Sequence, residues 1–248
     1  YPTLVNPSSL SAQRNPDDDW PMFMHDLEHT GESKDKVKPP LEKVWESVIG
    51  YAGPSSPTIS DDHLYIGSED GKVYCLNKFT GSRLWEYKTG DFIFSSPAIS
   101  GDYLYIGSFD KKVYCLNRWT GKKIWDYETG DWISSSPTIS GEYLYIGSGD
   151  SKVYCLNKNT GVKVWDYETG DWVASSPAIS GNYLYIGSED HKVYCLNKNT
   201  GVKVWDYETG DFVFTSPIID DIFLYVGSGD NKVYCLNKFI GSKVWDYE

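Results

Sequence analysis

The sequence predicts an all-β protein, a β-propeller of five four-stranded blades, and a repeat of fixed length is the main reason. Single cysteines and single tryptophans recur every 40 residues, as Cys75 and Cys115 show. The cysteines are Cys75, Cys115, Cys155, Cys195 and Cys235, and the tryptophans of the same repeat are Trp45, Trp85, Trp125, Trp165, Trp205 and Trp245. Each unit holds four short apolar runs, and four short strands in about 40 residues are typical of a propeller blade.

The third unit shows the four runs and the turns between them. The runs are Pro137–Ser140, Tyr143–Gly147, Lys152–Asn157 and Lys163–Tyr167. They are rich in Tyr, Val, Ile and Trp, which strands favour. Gly, Asn and Asp lie between them and favour tight turns. No unit sustains an apolar spacing of three or four residues, so we expect no helix.

Both faces of these strands carry apolar side chains. In the third run of the same unit, Val153 and Cys155 share one face, and Tyr154 and Leu156 share the other. A sheet that faced water on one side would alternate apolar and polar residues instead. One unit cannot bury both faces by itself, so the units must stack against one another in a ring.

The blade count depends on how the N-terminal part is interpreted. Five Ser-Pro pairs begin five complete blades, at Pro57, Pro97, Pro137, Pro177 and Pro217. An additional strand of the outermost type, Lys43–Ile49, precedes the first blade. Either this strand is surplus, or Asp19–Ile49 forms a degenerate sixth blade. We expect residues 1–42 to be a partly irregular extension that packs on the ring, and residues 43–248 to form the propeller. An unpaired strand edge would leave a monomer or support a dimer.

The net charge of −12 and the isoelectric point near 4.8 argue against a nucleic-acid partner, because a nucleic-acid groove needs a basic face. The sequence has no run of 18 or more apolar residues, so it predicts no transmembrane segment. The chain starts at Tyr1 without a signal peptide, which fits a processed exported protein or a trimmed one equally well.

No metal, cofactor or disulfide is expected. The cysteines occupy equivalent places in different blades, farther apart than the roughly 7 Å between Cα atoms that a disulfide allows, so we expect buried free thiols. His25 and His29 have the spacing of a metal pair, but no third ligand is evident. An Asp recurs in the turn after the second run of every unit. We expect these carboxylates to cap their own turns rather than to bind cations or sugars.

The positions that vary within the repeat are the candidates for ligand binding. At the start of the innermost strand the sequence has Phe92, Trp132, Trp172 and Phe212, and in the turn after the second strand it has Glu69, Phe109 and Glu189. Both loops emerge on the same face of a propeller. These side chains could form a stacking surface for a sugar, a planar ring or a peptide. The alternative is that the rings fill the narrow centre of the propeller.

The stretch YLYIGSGDSKVYCLNKNTGVKVWDYETG, from Tyr143 to Gly170, resembles the repeat of the pyrroloquinoline-quinone-like propellers. The resemblance covers Trp45–Glu248, and Asp19–Ser33 is similar to the segment that precedes the first blade in this family. It implies that a Trp four residues after a turn Gly docks each blade against the next. Those residues are Trp85, Trp125, Trp165, Trp205 and Trp245. The last unit departs from the family pattern, with Ile240 where the others have Thr.

The function that we expect is a non-enzymatic binding or protein-interaction scaffold, because catalysis needs differentiated groups and these units are nearly identical. A protein or a glycan is the expected partner. A lectin with one sugar site per blade is the alternative. A quinone-dependent dehydrogenase is disfavoured, because the resemblance implies calcium ligands and an adjacent-cysteine disulfide, and no Cys-Cys pair occurs. The repeat could also be a folding unit without any ligand. The resemblance favours an exported or cell-surface location.

Overall fold

A computed structural model describes residues 21–30, 42–51 and 53–248. In these residues it shows five sheets of four antiparallel strands and no helix. Each sheet consists of four strands that follow one another in sequence and pair in that order. The predicted fold, an all-β propeller with five four-stranded blades, is confirmed.

The strands are numbered in chain order. The first blade contains β1 Thr58–Ser60, β2 His63–Gly67, β3 Lys72–Asn77 and β4 Arg83–Lys88. The second contains β5 Ala98–Ser100, β6 Tyr103–Gly107, β7 Lys112–Asn117 and β8 Lys123–Glu128. The third contains β9 Thr138–Ser140, β10 Tyr143–Ser148, β11 Lys152–Asn157 and β12 Lys163–Glu168. The fourth contains β13 Ala178–Ser180, β14 Tyr183–Gly187, β15 Lys192–Asn197 and β16 Lys203–Glu208. The fifth contains β17 Ile218–Asp220, β18 Phe223–Gly227, β19 Val233–Asn237 and β20 Lys243–Tyr247.

Side chains of the repeat fix the turn between the third and fourth strands of each blade. In the third blade the Oδ1 atom of Asn157 accepts hydrogen bonds from the backbone N–H groups of Asn159 and Thr160, at 3.0 and 3.1 Å. Gly161 follows with a φ of 72°, a conformation that costs glycine little. The ladder between the two strands shifts register at Cys155/Leu156. The same shift occurs in every blade.

Neighbouring blades pack face to face through buried apolar clusters. We call the side of a sheet that faces the next blade in sequence its leading face, and the opposite side its trailing face. The leading face of the first blade brings Tyr65, Val73 and Cys75 against Leu104 and Ile106 on the trailing face of the second. Similar clusters join the second blade to the third, the third to the fourth and the fourth to the fifth. Each internal interface therefore removes two apolar surfaces from water.

A tryptophan on the outermost strand adds a directed contact to each interface. Trp85 lies over Gly121 of the second blade, and its Nε1 donates a hydrogen bond of 2.9 Å to the carbonyl oxygen of Arg118. A Cβ atom on Gly121 would lie 2.7 Å from the Trp85 ring, so this close approach requires glycine. Trp125, Trp165 and Trp205 make the same bond to the carbonyls of Lys158, Lys198 and Lys238.

Trp245 differs from the other four tryptophans. Like the others it packs on a tyrosine of its own blade, Tyr225, but in the described part of the chain its indole donates no hydrogen bond. The equivalent acceptor on the first blade is already used, because Trp45 lies over Gly81 and donates to the Lys78 carbonyl at 2.8 Å. Residues 42–51 thus occupy the place of an outermost strand without pairing in a sheet. Of the predicted sixth blade, residues 19–20 and 31–41 lie outside the described residues.

The cysteines are buried and unpaired in all five blades. Burial raises the pKa of the thiols of Cys75, Cys115, Cys155 and Cys195 to about 12. Each thiol lies beside the hydroxyl group of a tyrosine on the neighbouring strand, as Cys75 does beside Tyr65. These groups belong to the core of the interfaces, and their thiolate forms are disfavoured.

We predict that Trp125→Ala lowers the free energy of unfolding by ~3–5 kcal/mol, because the truncation empties a packed site and removes the bond to Lys158. Trp245→Ala is the matched control and should cost less than about 1 kcal/mol, since its indole is 43% exposed. Thermal and urea unfolding of dilute protein measure both values. Equal losses for the two variants would contradict the docking role of Trp125.

Candidate functional site

The innermost strands line a central channel, and serines that precede these strands join neighbouring blades around it. The backbone N–H of Ser56 donates to the Oγ of Ser96 at 2.8 Å, and the Ser96 N–H donates to the Oγ of Ser136 at 2.9 Å. Ser136 and Ser176 continue the chain of bonds to Ser216. The channel contains a cavity of about 210 Å³. Its lining residues are Phe23, Pro54, Phe94, Ser96, Ser134, Ser136, Ala174, Ser176 and Ser216.

Residues 21–30 close one end of this channel. The carbonyl oxygens of Pro21 and Leu27 accept hydrogen bonds of 2.7 Å from Ile99 and Ile179, on the innermost strands of the second and fourth blades. The carbonyl of Glu28 accepts another from the fifth blade, and Phe23 lines the cavity. This part of the N-terminal extension therefore lies on the ring and satisfies N–H groups that the innermost strands present to the channel.

His29 anchors the same segment through a buried polar contact. Its Nδ1 donates to the carbonyl oxygen of Pro217 at 3.1 Å, and its ring meets Phe23 edge-on at a centroid distance of 5.4 Å. Burial lowers the pKa of His29 to about 4, against the smaller opposing effects of the Pro217 carbonyl and Asp26. The residue is therefore neutral at physiological pH. Within the described ranges, no group of three or more His, Cys, Asp or Glu side chains could hold a metal ion.

The opposite end of the channel carries the variable positions. Backbone bonds tie the two variable loops of each blade together: Phe109 N–H donates to the Phe92 carbonyl at 2.9 Å, and Glu189 N–H donates to the Trp172 carbonyl at 2.9 Å. We call the surface formed by Phe92, Phe94, Phe109, Trp132 and Trp172 the aromatic mouth. Its side chains come from three blades and form one surface.

The rings of the aromatic mouth contact one another in sequence. Phe109 lies 4.6 Å from Phe94 and 5.3 Å from Trp132, measured between ring centroids. Trp132 meets Trp172 edge-on at 5.3 Å. Phe92 and Trp172 remain 49% and 45% exposed, so the surface presents apolar rings to solvent. Phe94 extends the rings down into the channel, where it lines the cavity.

A second, smaller aromatic group lies on the fifth blade. Phe212 contacts Phe214 at 5.6 Å and the edge of the His191 ring at 5.1 Å. His191 of the fourth blade has a φ of 70° and lies 3.8 Å from a carboxylate oxygen of Asp211. His191 is thus a packing partner of Phe212, whereas a turn histidine at this position would be expected to contact only solvent.

The rim of the mouth is acidic. The aspartates that precede the variable aromatic residues in four blades accept hydrogen bonds from the next backbone N–H; they are Asp91, Asp131, Asp171 and Asp211. The Nζ atom of Lys111 lies 3.5 Å from Oδ1 of Asp131. The pKa of Glu189 is raised by partial burial and by the nearby charge of Asp171. Glu69 of the first blade packs against Gly53: a Cβ atom added to Gly53 would lie 2.7 Å from the Cγ of Glu69.

The family model described as "Outer membrane protein assembly factor BamB" matches residues 41–169 and 153–248. The chain belongs to this family. Its members and the solved structures of similar shape are propellers of the pyrroloquinoline-quinone-like repeat, as the sequence indicates. No curated protein matches the chain.

Three solved structures show the same fold. BamB from Moraxella catarrhalis superposes with a TM-score of 0.70 at 22% identity, over 78% of this chain and 61% of that chain. The quinohemoprotein alcohol dehydrogenase of Comamonas testosteroni gives 0.82 at 17% identity, over 98% of this chain and 51% of that chain. The enzyme ADHIIG from Pseudomonas putida HK5 gives 0.79 at 16%, over 98% and 50%. This chain therefore spans about half to three-fifths of the length of these BamB-family and dehydrogenase structures.

Two features of this BamB-family chain were not predicted from its sequence. Phe94 and Phe214 belong to the aromatic surfaces, and the signal was available because the same register reads Ser134 and Ala174 in other blades. Trp45 docks on the first blade, although only the tryptophans that follow complete blades were expected to do so. Its sequence, Lys-Val-Trp, is shared with Lys243–Trp245.

The repeated aspartates are used by the fold. Asp110 accepts hydrogen bonds of 2.6 Å at Oδ2 from the Tyr114 hydroxyl and from the backbone N–H of Gly90 in the preceding blade. Its Oδ1 accepts the N–H of Lys112 at 3.1 Å. Asp150, Asp190 and Asp230 accept equivalent bonds. The carboxylate thus closes its own turn and also joins two blades.

We predict that acidification loosens the closed end of the channel. Unfolded His29 takes up a proton near its ordinary pKa of 6.5, whereas the folded residue does so only near 4. Stability from this group is therefore complete above pH 6.5 and is lost as the pH falls towards 4. The loss should reach about 3 kcal/mol. His29→Asn, which keeps a donor for Pro217, should lose less stability over the same range.

Thermal unfolding at a series of pH values measures this difference. Asn199→Ser serves as the control, because this exposed turn position carries no titratable group, and it should follow the wild-type curve. Parallel curves for the wild type and His29→Asn would exclude His29 as the responsible group.

Proposed function

We propose that this propeller is a non-enzymatic protein-binding scaffold and that the aromatic mouth is its binding site. The observation that carries the proposal is the continuity of the rings across three blades, with Phe109, Trp132 and Trp172 in successive contact. Half-exposed Trp and Phe side chains that form one surface are the usual anchors of protein interfaces. The other end of the channel is closed by residues 21–30.

The chemistry of the mouth defines the segment that it would take. The rings offer flat apolar area, and the rim carries Asp91, Asp171 and Glu189 with few compensating cations. An extended segment with apolar or proline side chains and at least one Lys or Arg complements both features. The family description, an assembly factor for outer membrane proteins, supports a protein partner and an exported or cell-surface location.

A glycan site in every blade has less support. Such a lectin needs the same side chains at equivalent positions, but the mouth positions differ from blade to blade. The turn after the second strand has Phe109 in the second blade, Gly149 in the third and Glu189 in the fourth. The rings also merge into one surface, which favours one ligand per chain.

A quinone-dependent dehydrogenase also has less support. The enzymes of Comamonas and Pseudomonas share the fold at 17% and 16% identity, which carries no activity by itself. The residues do not fit that cofactor, because the repeated carboxylates are used in turn and inter-blade bonds, as Asp110 and Asp150 show. The nearly identical blades do not supply a differentiated base and ligand set.

We predict that peptides selected from a displayed random library bind the mouth in a one-to-one ratio. Trp172→Ala should weaken their binding by about tenfold or more, because aromatic anchors of this kind contribute ~2 kcal/mol. Isothermal titration calorimetry gives both the affinity and the stoichiometry. Lys or Arg should be enriched among the selected peptides.

Trp119→Ala is the matched control, because this tryptophan is 41% exposed and lies in a third-to-fourth-strand turn, away from the mouth. It should change the affinity by less than about twofold. Equal losses in both variants, or peptides that bind regardless of Trp172, would contradict the proposal. A glycan bound at five equivalent sites would establish the lectin instead.

A further inference from the structure

The cavity in the central channel lies directly below the aromatic mouth, and we call it the channel pocket. In the third blade Ile133 and Ser135 are fully buried between blades. Trp132, Ser134 and Ser136 alternate with them and face the channel. Alternate residues of an extended segment share one side and lie about 7 Å apart. Ser134 is therefore one step below the mouth and Ser136 two steps, so the pocket continues the mouth towards the interior.

The channel pocket exists because two blades carry small residues at one position. This position is Phe94 in the second blade, but Ser134 in the third and Ala174 in the fourth, and all three line the pocket. The repeat accepts a phenylalanine here, so the small residues are not a requirement of the blade. Each of these three blades packs against a described blade on both sides. Phe23 lines the pocket from the closed end of the channel.

The serines of the channel pocket offer hydrogen bonds that the described residues do not use. The Oγ of Ser134 is buried and has no hydrogen-bond partner among them. One step lower, Ser96, Ser136 and Ser176 are almost completely buried. Each of their Oγ atoms accepts a backbone N–H from the preceding blade, and each hydroxyl keeps its own hydrogen to donate. Buried polar groups are nearly always hydrogen-bonded, so the pocket fits a ligand with a polar group at this depth.

The rest of the lining defines the kind of side chain that the pocket would take. Among the described residues the lining contains no ionisable group, so a charged side chain would be buried without a partner, which is costly. The rings of Phe23 and Phe94 suit another aromatic ring. An apolar cavity of about 150 Å³ holds a benzene molecule, so the 210 Å³ of this pocket can hold one phenol group. A phenol hydroxyl both donates and accepts, whereas the N–H of a tryptophan only donates.

We propose that the channel pocket binds a tyrosine side chain of the segment that occupies the aromatic mouth. This inference rests on the proposed function and names a residue that the partner segment carries. The tyrosine ring packs against Phe94, and its hydroxyl bonds to the Oγ of Ser134 and to the serines below. The basic residue of the same segment stays at the acidic rim, because the pocket accepts no charge.

A tyrosine should recur at one position of the peptides selected on the wild-type protein. Replacing this tyrosine by phenylalanine should weaken binding to the wild type about fivefold, because one buried hydrogen bond is lost. On the Ser134→Ala variant the same replacement should change the affinity by less than about twofold, since the partner is already missing. Isothermal titration calorimetry measures all four affinities. Ser242→Ala, at an exposed serine in a turn of the fifth blade, is the matched control and should keep the fivefold difference.

Ala174→Phe should fill the pocket with the side chain that the second blade has at this position. Peptides with Tyr, Phe or Ala at the anchor position should then bind this variant equally. Circular dichroism and thermal unfolding confirm that each variant is folded. If Trp172→Ala weakens every peptide but Tyr and Phe peptides bind the wild type equally, the mouth binds protein and the tyrosine pocket is refuted. If Trp172→Ala has no effect, the proposed function fails.

A measurement without peptides tests the pocket independently of the mouth. p-Cresol is the tyrosine side chain as a free molecule, and ligand-observed NMR titration measures its binding. It should bind the wild type, and toluene, which lacks the hydroxyl, should bind about fivefold more weakly. Ala174→Phe should abolish p-cresol binding. Equal binding of p-cresol to the wild type and to Ala174→Phe would overturn the inference, and so would the absence of binding to both.

Discussion

Every level of this structure depends on the burial of two apolar faces of each sheet against neighbouring sheets. A single blade exposes Tyr, Val and Cys on its leading face and Ile, Leu and Tyr on its trailing face. Neither face is stable in water. The tryptophan over the turn glycine, the serine bonds around the channel and the bridging aspartate all act at the same interfaces. The interfaces leave the aromatic mouth exposed to solvent, which is where we place the binding site.

Much of the fold could be predicted because every repeat carries the same pattern of strands, turns and apolar faces. A 40-residue period, four strand-like runs and apolar residues on both faces of β11 allow few alternatives to a blade. The role of the last tryptophan could not be predicted in the same way. Trp245 has the same local sequence as Trp205, but its contact depends on a following blade. Only the arrangement of blades in space shows that the Trp45 ring lies over Gly81 and that Trp245 is exposed.

The candidate site was predicted by its variability rather than by a motif. Trp132 and Trp172 stood out because their register changes along the chain, and a shared face follows from propeller connectivity. The contacts between blades could not be read from sequence, since Phe109 meets Trp132 through the curvature of the ring. Phe94 was missed because its register alternates with Ser134 and Ala174, which resembles ordinary drift. His29 was considered as a metal ligand, but its burial against Pro217 depends on a contact 188 residues away.

Hydrogen exchange measured by mass spectrometry, blade by blade, tests most directly whether neighbouring blades stabilise one another. Protection reports the local free energy of opening, so equivalent strands can be compared within one chain. We expect β11 of the third blade, which is covered on both faces, to exchange slowly. We expect β19 of the fifth blade to exchange much faster than β11 in dilute protein, although both strands contain Val-Tyr-Cys-Leu-Asn. Equal protection of the two strands in a monomer would contradict this expectation, because each blade would then be stable without neighbours.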